Sequence, residues 1–97
     1  MDHTVYVYID ADDEYLRWLE EHPDGYVVNT NRSLSPGYLI LHEARCGQLH
    51  RLDPRQARMT FEYVKVCSAS REQLEKWANW TLPGQPQLHR CNFCRPE

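Results

Sequence analysis

The sequence predicts a small α+β domain, and three observations point there. Its 97 residues suit one domain rather than two. Short runs of β-branched and aromatic residues alternate in the manner of strands, and two stretches repeat apolar residues at helical spacing. The strand-like and helix-like runs also follow one another in the order strand, helix, strand near the start, a β-α-β opening.

In chain order, TVYVYID reads as a strand with Val5 and Val7 on one face and Tyr6 and Tyr8 on the other. DADDEYLRWLEEHPDG then reads as a helix. Asp10 or Asp12 can cap it, its first-turn acids suit the positive end of the dipole, and Tyr15, Trp18, Leu19 and His22 form its inner stripe. Pro23 and Gly25 stop it, and GYVVNTN follows as a second strand. NRSLSPG is a loop by composition. YLILHEARC opens as a strand apolar on both faces and is expected to be central and buried. GQLHRLDPRQAR is a polar loop with Gly47 and Pro54, after which MTFEYVKVC alternates Phe61, Tyr63 and Lys65 against Glu62, Val64 and Val66. SREQLEKWANW begins with a Ser70-x-x-Gln73 capping box and carries Leu74, Trp77, Ala78 and Thr81 inward. Both of its tryptophans are expected on the sheet, Trp77 the deeper; a Trp80 that stacks on a nucleobase is the alternative. LPGQP breaks this helix before a closing stretch, LHRCNFCRPE.

The net charge of −3 is unevenly spread. Residues 1–45 carry nine acids against three arginines, and residues 46–97 carry eight bases against five acids. A polyanion would meet the second half and a basic protein the first. Five of the first fourteen residues are acidic, unlike a signal peptide, and no apolar run approaches the ~20 residues of a membrane span. The expectation is a cytoplasmic protein without membrane contact. Its four cysteines would then be reduced, which favours metal ligation or catalysis over disulfides.

Cys91-Asn-Phe-Cys94 has the spacing of a zinc knuckle. A redox pair of the same spacing sits at the start of a helix that lowers a thiolate pKa, and here only Arg95, Pro96 and Glu97 follow. Two ligands do not close a tetrahedron. His42 and Cys46 offer the second pair, with a residue and the fourth after it sharing one side of a helical turn. The expected set is His42, Cys46, Cys91 and Cys94, a Cys₃His site for Zn²⁺; Cys67, His50 and His89 compete for places in it. Glu43 beside His42 invites comparison with zinc deaminases, whose signature needs a proline before the first cysteine of the pair, where this chain has Arg90. No complete catalytic constellation stands out, and an enzyme is not expected.

Residues 38–97 resemble the zinc module at the N-terminus of the Ada family of DNA-alkylation-repair proteins. The pieces that carry the resemblance are YLILHEARC, HRLDPRQAR, FEYVKVC, SASREQLEKWA and CNFCRPE. The stretch between the second and third ligands is longer than the family's. The resemblance implies a zinc-binding β/α part (38–97) after an acidic β-α-β part (1–37), with Cys46, Cys91 and Cys94 carried over as ligands. The family's methyl-accepting cysteine is matched here by His42, so alkyl transfer is not implied. HPDGYVVNTNRSLSPGYLILHEARC, YVKVCS and the closing C-x₂-C-R-P also look similar to small modules attached to bacterial HNH-type nucleases of restriction and phage defence.

Together these readings give a zinc-stabilised DNA-binding or accessory module of bacterial DNA repair or restriction type. Its DNA, modified or distorted, would be met by Arg45, Arg51, Arg55, Arg58, Lys65, Arg90 and Arg95, with Asn29, Asn31 and Arg32 near base edges. Turn chemistry is the competing role for Asn29 and Asn31. The alternative function is a protein–protein interaction module whose acidic face, residues 10–24, contacts a basic partner such as a nuclease.

Overall fold

Two helices cover opposite faces of a five-stranded mixed sheet in a computed structural model that describes residues 4–34, 37–47, 49, 60, 63–84, 86–92 and 94. The elements are β1 (Val5–Tyr8), α1 (Asp12–Glu21), β2 (Tyr26–Asn31), β3 (Leu39–Glu43), β4 (Tyr63–Ser68), α2 (Arg71–Thr81) and β5 (His89–Arg90). The fold is α+β, in the sheet order β1-β4-β2-β3-β5.

Both β1 and β2 run antiparallel to β4, so they are parallel to each other with β4 between them. The β-α-β opening is thus a split one, and β4 of the second part lies inside it. β2 and β3 form an antiparallel pair, and β5 adds to β3 in parallel through Ile40–His89 and Leu41–Arg90. β3 is an inner strand, as its apolar faces require, although the middle of the sheet is β2.

Alternation sorts the side chains into two cores. Val27 and Cys67 face α1, whose Tyr15, Trp18 and Leu19 pack on them with Ala44, Cys46, Leu49 and Cys91. Val28, Leu39, Leu41, Val64 and Val66 face α2, whose Leu74 and Ala78 cover them with Leu82. Gly25 lets the chain turn from α1 into β2 beneath Trp18: a Cβ there would lie 2.7 Å from the indole ring.

Several local expectations are corrected. The cap of α1 is Ala11, because Asp10 takes a left-handed conformation (φ 52°) and grips Arg32, while Asp12 Oδ1 accepts bonds from the Thr60 N–H and hydroxyl. Ser70 does cap α2 by position, but its side chain makes no capping bond. Thr81 is exposed and Leu82 takes the inner position instead. Trp80 does not pack on the sheet; it is 92 % exposed, whereas Trp77 packs against the core.

Candidate metal centre

Three separate segments bring the four expected ligands together. His42 is the fourth residue of β3 and lies opposite Val27, hence on the α1 side. Cys46 follows β3 by a tight turn in which the Cys46 N–H donates to Glu43 O at 2.9 Å. The His-x₃-Cys spacing is therefore realised by a strand end and a turn, not by the helical turn the sequence suggested. Cys91 directly follows β5, and its N–H donates to Leu41 O at 2.9 Å, which seats it beside His42. Cys94 completes the knuckle, its Sγ accepting the Glu43 N–H at 3.3 Å.

The candidate ligand atoms of His42, Cys46, Cys91 and Cys94 all lie within 4.8 Å of one another. Cys46 Sγ and Cys91 Sγ are 3.9 Å apart, and neither is in a disulfide. Two thiolates on one tetrahedral zinc at 2.3 Å stand about 3.8 Å apart, so shifts of about 1 Å or less would close the set on an ion. His42, Cys46 and Cys91 are buried and Cys94 is half-buried.

The donor chemistry fits a cation. Burial, aided by the positive charge of Lys65, lowers the His42 pKa to about 4, which keeps the imidazole neutral and free to ligate. Its Nδ1 is buried without a hydrogen-bond partner, an arrangement that costs free energy unless something coordinates it. Burial pushes the Cys94 thiol up to about 12; the Glu43 amide opposes this and the Cys46 and Cys91 thiols add to it. A dication held among the three sulfurs would reverse that preference and favour thiolates. The Glu43 N–H on Cys94 Sγ would then be the outer hydrogen bond that such a thiolate accepts.

The competing candidates fall away among the described residues. Cys67 lies opposite Val27, which lies opposite His42, so two strand spacings, about 9–10 Å in all, separate Cys67 from the candidate ligand His42. It is fully buried, and burial raises its thiol pKa. His89 shares the α1 side of the sheet with Ile40 but stays exposed and outside the cluster. His50 lies outside the described residues. Glu43 falls on the opposite sheet face from His42, so its side chain is not placed as a base at this centre.

The expected DNA-contacting residues are dispersed. Arg45 and Arg90 are exposed, each immediately before a ligand cysteine. Arg45 pairs loosely with Asp24 at 3.2 Å. Arg32 holds Asp10 with two parallel bonds of 3.0 and 2.7 Å, and Asn31 Oδ1 accepts from Ser33 Oγ. Lys65 is a correction: it is only 8 % exposed, and its Nζ donates to Asn29 Oδ1 at 2.5 Å. Burial lowers its pKa to about 8, and the amine is enclosed rather than presented on the surface. Arg51, Arg55, Arg58 and Arg95 lie outside the described residues.

Sequence reasoning missed the ties around Asp12 and Thr60, since nothing in either residue type marks a bond across 48 positions. It also missed that Trp18 stacks on His22 at 4.6 Å, a signal present as an i, i+4 aromatic pair.

Fold and cluster together define a small α+β domain with a Cys₃His group of the kind that can hold a metal ion such as zinc. Set against family models, curated proteins and solved structures, the chain matches none. No helix among the described residues is long and apolar enough to cross a membrane.

Proposed function

We infer that His42, Cys46, Cys91 and Cys94 hold one structural Zn²⁺, and that the chain is a zinc-stabilised DNA-binding or accessory module without alkyl-transfer activity. The observation that carries the metal reading is the convergence of one imidazole and three thiols within 4.8 Å, three of the four residues buried. Four protein ligands complete a tetrahedron and leave no open position for a substrate, which favours a structural ion over a catalytic one.

Support for DNA as the partner comes from charge. The half of the chain that supplies three of the four ligands, Cys46, Cys91 and Cys94, carries the positive excess, and Arg45 and Arg90 stand exposed beside the two ligand pairs. Arginine donates in pairs to phosphate, and the single loose Arg45–Asp24 bond leaves the rest of that guanidinium fork open to one. The alternative, a protein partner for the acidic N-terminal face, is favoured by the exposure of Asp13, Glu14, Glu20 and Glu21 along α1, a helix with no basic residue in its last turn.

Metal analysis of the purified chain tests the first part: one zinc per chain is expected, lost in Cys91→Ser and His42→Ala and retained in Cys67→Ala. Retention on duplex DNA across a salt series tests the second. Each phosphate contact contributes about −0.9 to the slope of log affinity against log salt, so Arg90→Ala should flatten it by about 1. A slope of zero in the unaltered chain removes phosphate contact and leaves the protein partner.

A further inference from the structure

β1 is one end of the sheet, and no described strand pairs with its outer edge. A free edge presents unmatched N–H and C=O groups to any other chain, and proteins usually blunt it with charge or proline. Residues 4–9, Thr-Val-Tyr-Val-Tyr-Ile, contain neither. Tyr6, Val7 and Ile9 are 37 %, 43 % and 42 % exposed. Beside Val5 lies an open hollow of about 570 Å³, lined also by Trp77, Lys76 and the almost fully exposed Trp80. At the opposite end of β1 stand four acids, Asp10, Asp12, Asp13 and Glu14.

We propose that this edge is a self-association surface, on which β1 of a second copy pairs antiparallel about a two-fold axis at Val7. Opposed residues of an antiparallel pair share a face, so this register sets Val7 against Val7, Val5 against Ile9 and Tyr6 against Tyr8. Every exposed apolar residue of the edge is then covered by another. Ile9 of each copy arrives at the hollow beside Val5, Trp77 and Trp80 of the other. The two acidic groups fall at opposite ends of the junction, whereas parallel pairing would set them side by side. The contact is isologous, each patch meeting its own copy. A lasting dimer buries about 1,200–2,000 Å² in total, more than a four-residue strand edge supplies, so the Trp80 hollow is a required part of it.

The test is sedimentation equilibrium of the full zinc-loaded chain from about 1 to about 200 µM, since a dimer's population follows protomer concentration. The expected mass at the upper end is twice 11.6 kDa. Val7→Lys, which opposes two like charges on the axis, should return it to 11.6 kDa with unchanged zinc content and circular dichroism. Trp80→Ala, a change at a solvent-facing position, should weaken the dimer at least tenfold without lowering the melting temperature measured at concentrations where the chain is monomeric. Register is read by cross-linking. Two Val7 Cα atoms would lie about 4.5–5.5 Å apart, within disulfide reach, and two Val5 Cα atoms about 13 Å apart, beyond it. Val7→Cys should therefore form a bond between copies, located by peptide mapping, and Val5→Cys should not. A chain that stays at 11.6 kDa throughout, as it would if the edge serves some other peptide, overturns the proposal. So does a dimer that survives Val7→Lys. Zinc stoichiometry is measured separately in each sample, so failure of this proposal leaves the metal reading untouched.

Discussion

Removing the ion is the perturbation with the largest expected consequence. Without it, the ties from Cys91 and Cys94 to β3 include the two ladder positions of β5, a 2.9 Å backbone bond to Leu41 and a 3.3 Å contact from the Glu43 amide to sulfur. Structural zinc sites in finger peptides bind with about 10–16 kcal/mol of apparent free energy. At about 10 µM free zinc, that range corresponds to about 3–9 kcal/mol of stabilisation by mass action. Each kcal/mol moves the midpoint of a domain this size by about 4–8 °C, so even the low end predicts a fall of about 12 °C on chelation. The assay is thermal unfolding by circular dichroism, in zinc and in excess chelator, with metal content measured in both samples. Equal midpoints for the zinc-loaded and zinc-free chain would refute the reasoning, because the four ligands would then contribute nothing that their own packing does not.

Acidification should release the ion over a defined window. The His42 pKa is lowered in the fold, so the unfolded chain binds the extra proton; stability is full above pH 6.5 and lost as pH falls from 6.5 towards 4. Protons competing for the thiolates act in the same direction, and a chromogenic chelator reads the release; an ion retained until well below pH 4 contradicts this. Gly25→Ala places a methyl 2.7 Å from the Trp18 ring and 3.1 Å from Ser68 O, so it should destabilise by about 1–3 kcal/mol in denaturant titration, and a neutral result would show that Trp18 moves freely. Lys65→Met removes an enclosed amine together with its bond to Asn29 Oδ1; DNA retention should not change, whereas weaker retention would return Lys65 to the contact surface.

Most of the elements were legible because each rests on a local pattern. Val5/Val7 against Tyr6/Tyr8 set the faces of β1, and Tyr15, Trp18 and Leu19 set the inner stripe of α1, with no distant information. The ligand set was legible for a different reason: C-x₂-C and H-x₃-C are pairs whose internal spacing is local even though 44 residues lie between the pairs. Pairing between distant strands was not legible. Nothing in VYVY or YVVNTN says that YVKVCS will lie between them, since that order depends on which edges meet late in folding. Lys65 was grouped with the arginines on its charge, and only the strand pairing to Asn29 shows its position to be enclosed. Trp80 was misread because size and apolarity argue for burial, while the stripe of α2 runs through Leu74 and Ala78 and leaves position 80 outward.

The arrangement also explains why a two-residue strand persists at the sheet's edge. Two ladder positions are too few to order a chain segment, given a backbone cost of about 1–2 kcal/mol per fixed residue against about 0.5–1.5 kcal/mol for each hydrogen bond gained. Cys91 adjoins β5 directly, and both its sulfur and that of Cys94 reach back to segments that β3 positions, His42 within the strand and Cys46 in the turn beyond it. An ion bound there would hold the chain just past β5 at two points: Cys91 through the Leu41 carbonyl and the metal, Cys94 through the Glu43 amide and the metal. On this reading β5 is a consequence of the ligand set, formed because its neighbours are held. Amide exchange should separate the two cases, since chelation would then unprotect the Cys91 N–H while leaving the ladder between β2 and β4 slow, and equal protection at both would make β5 self-supporting.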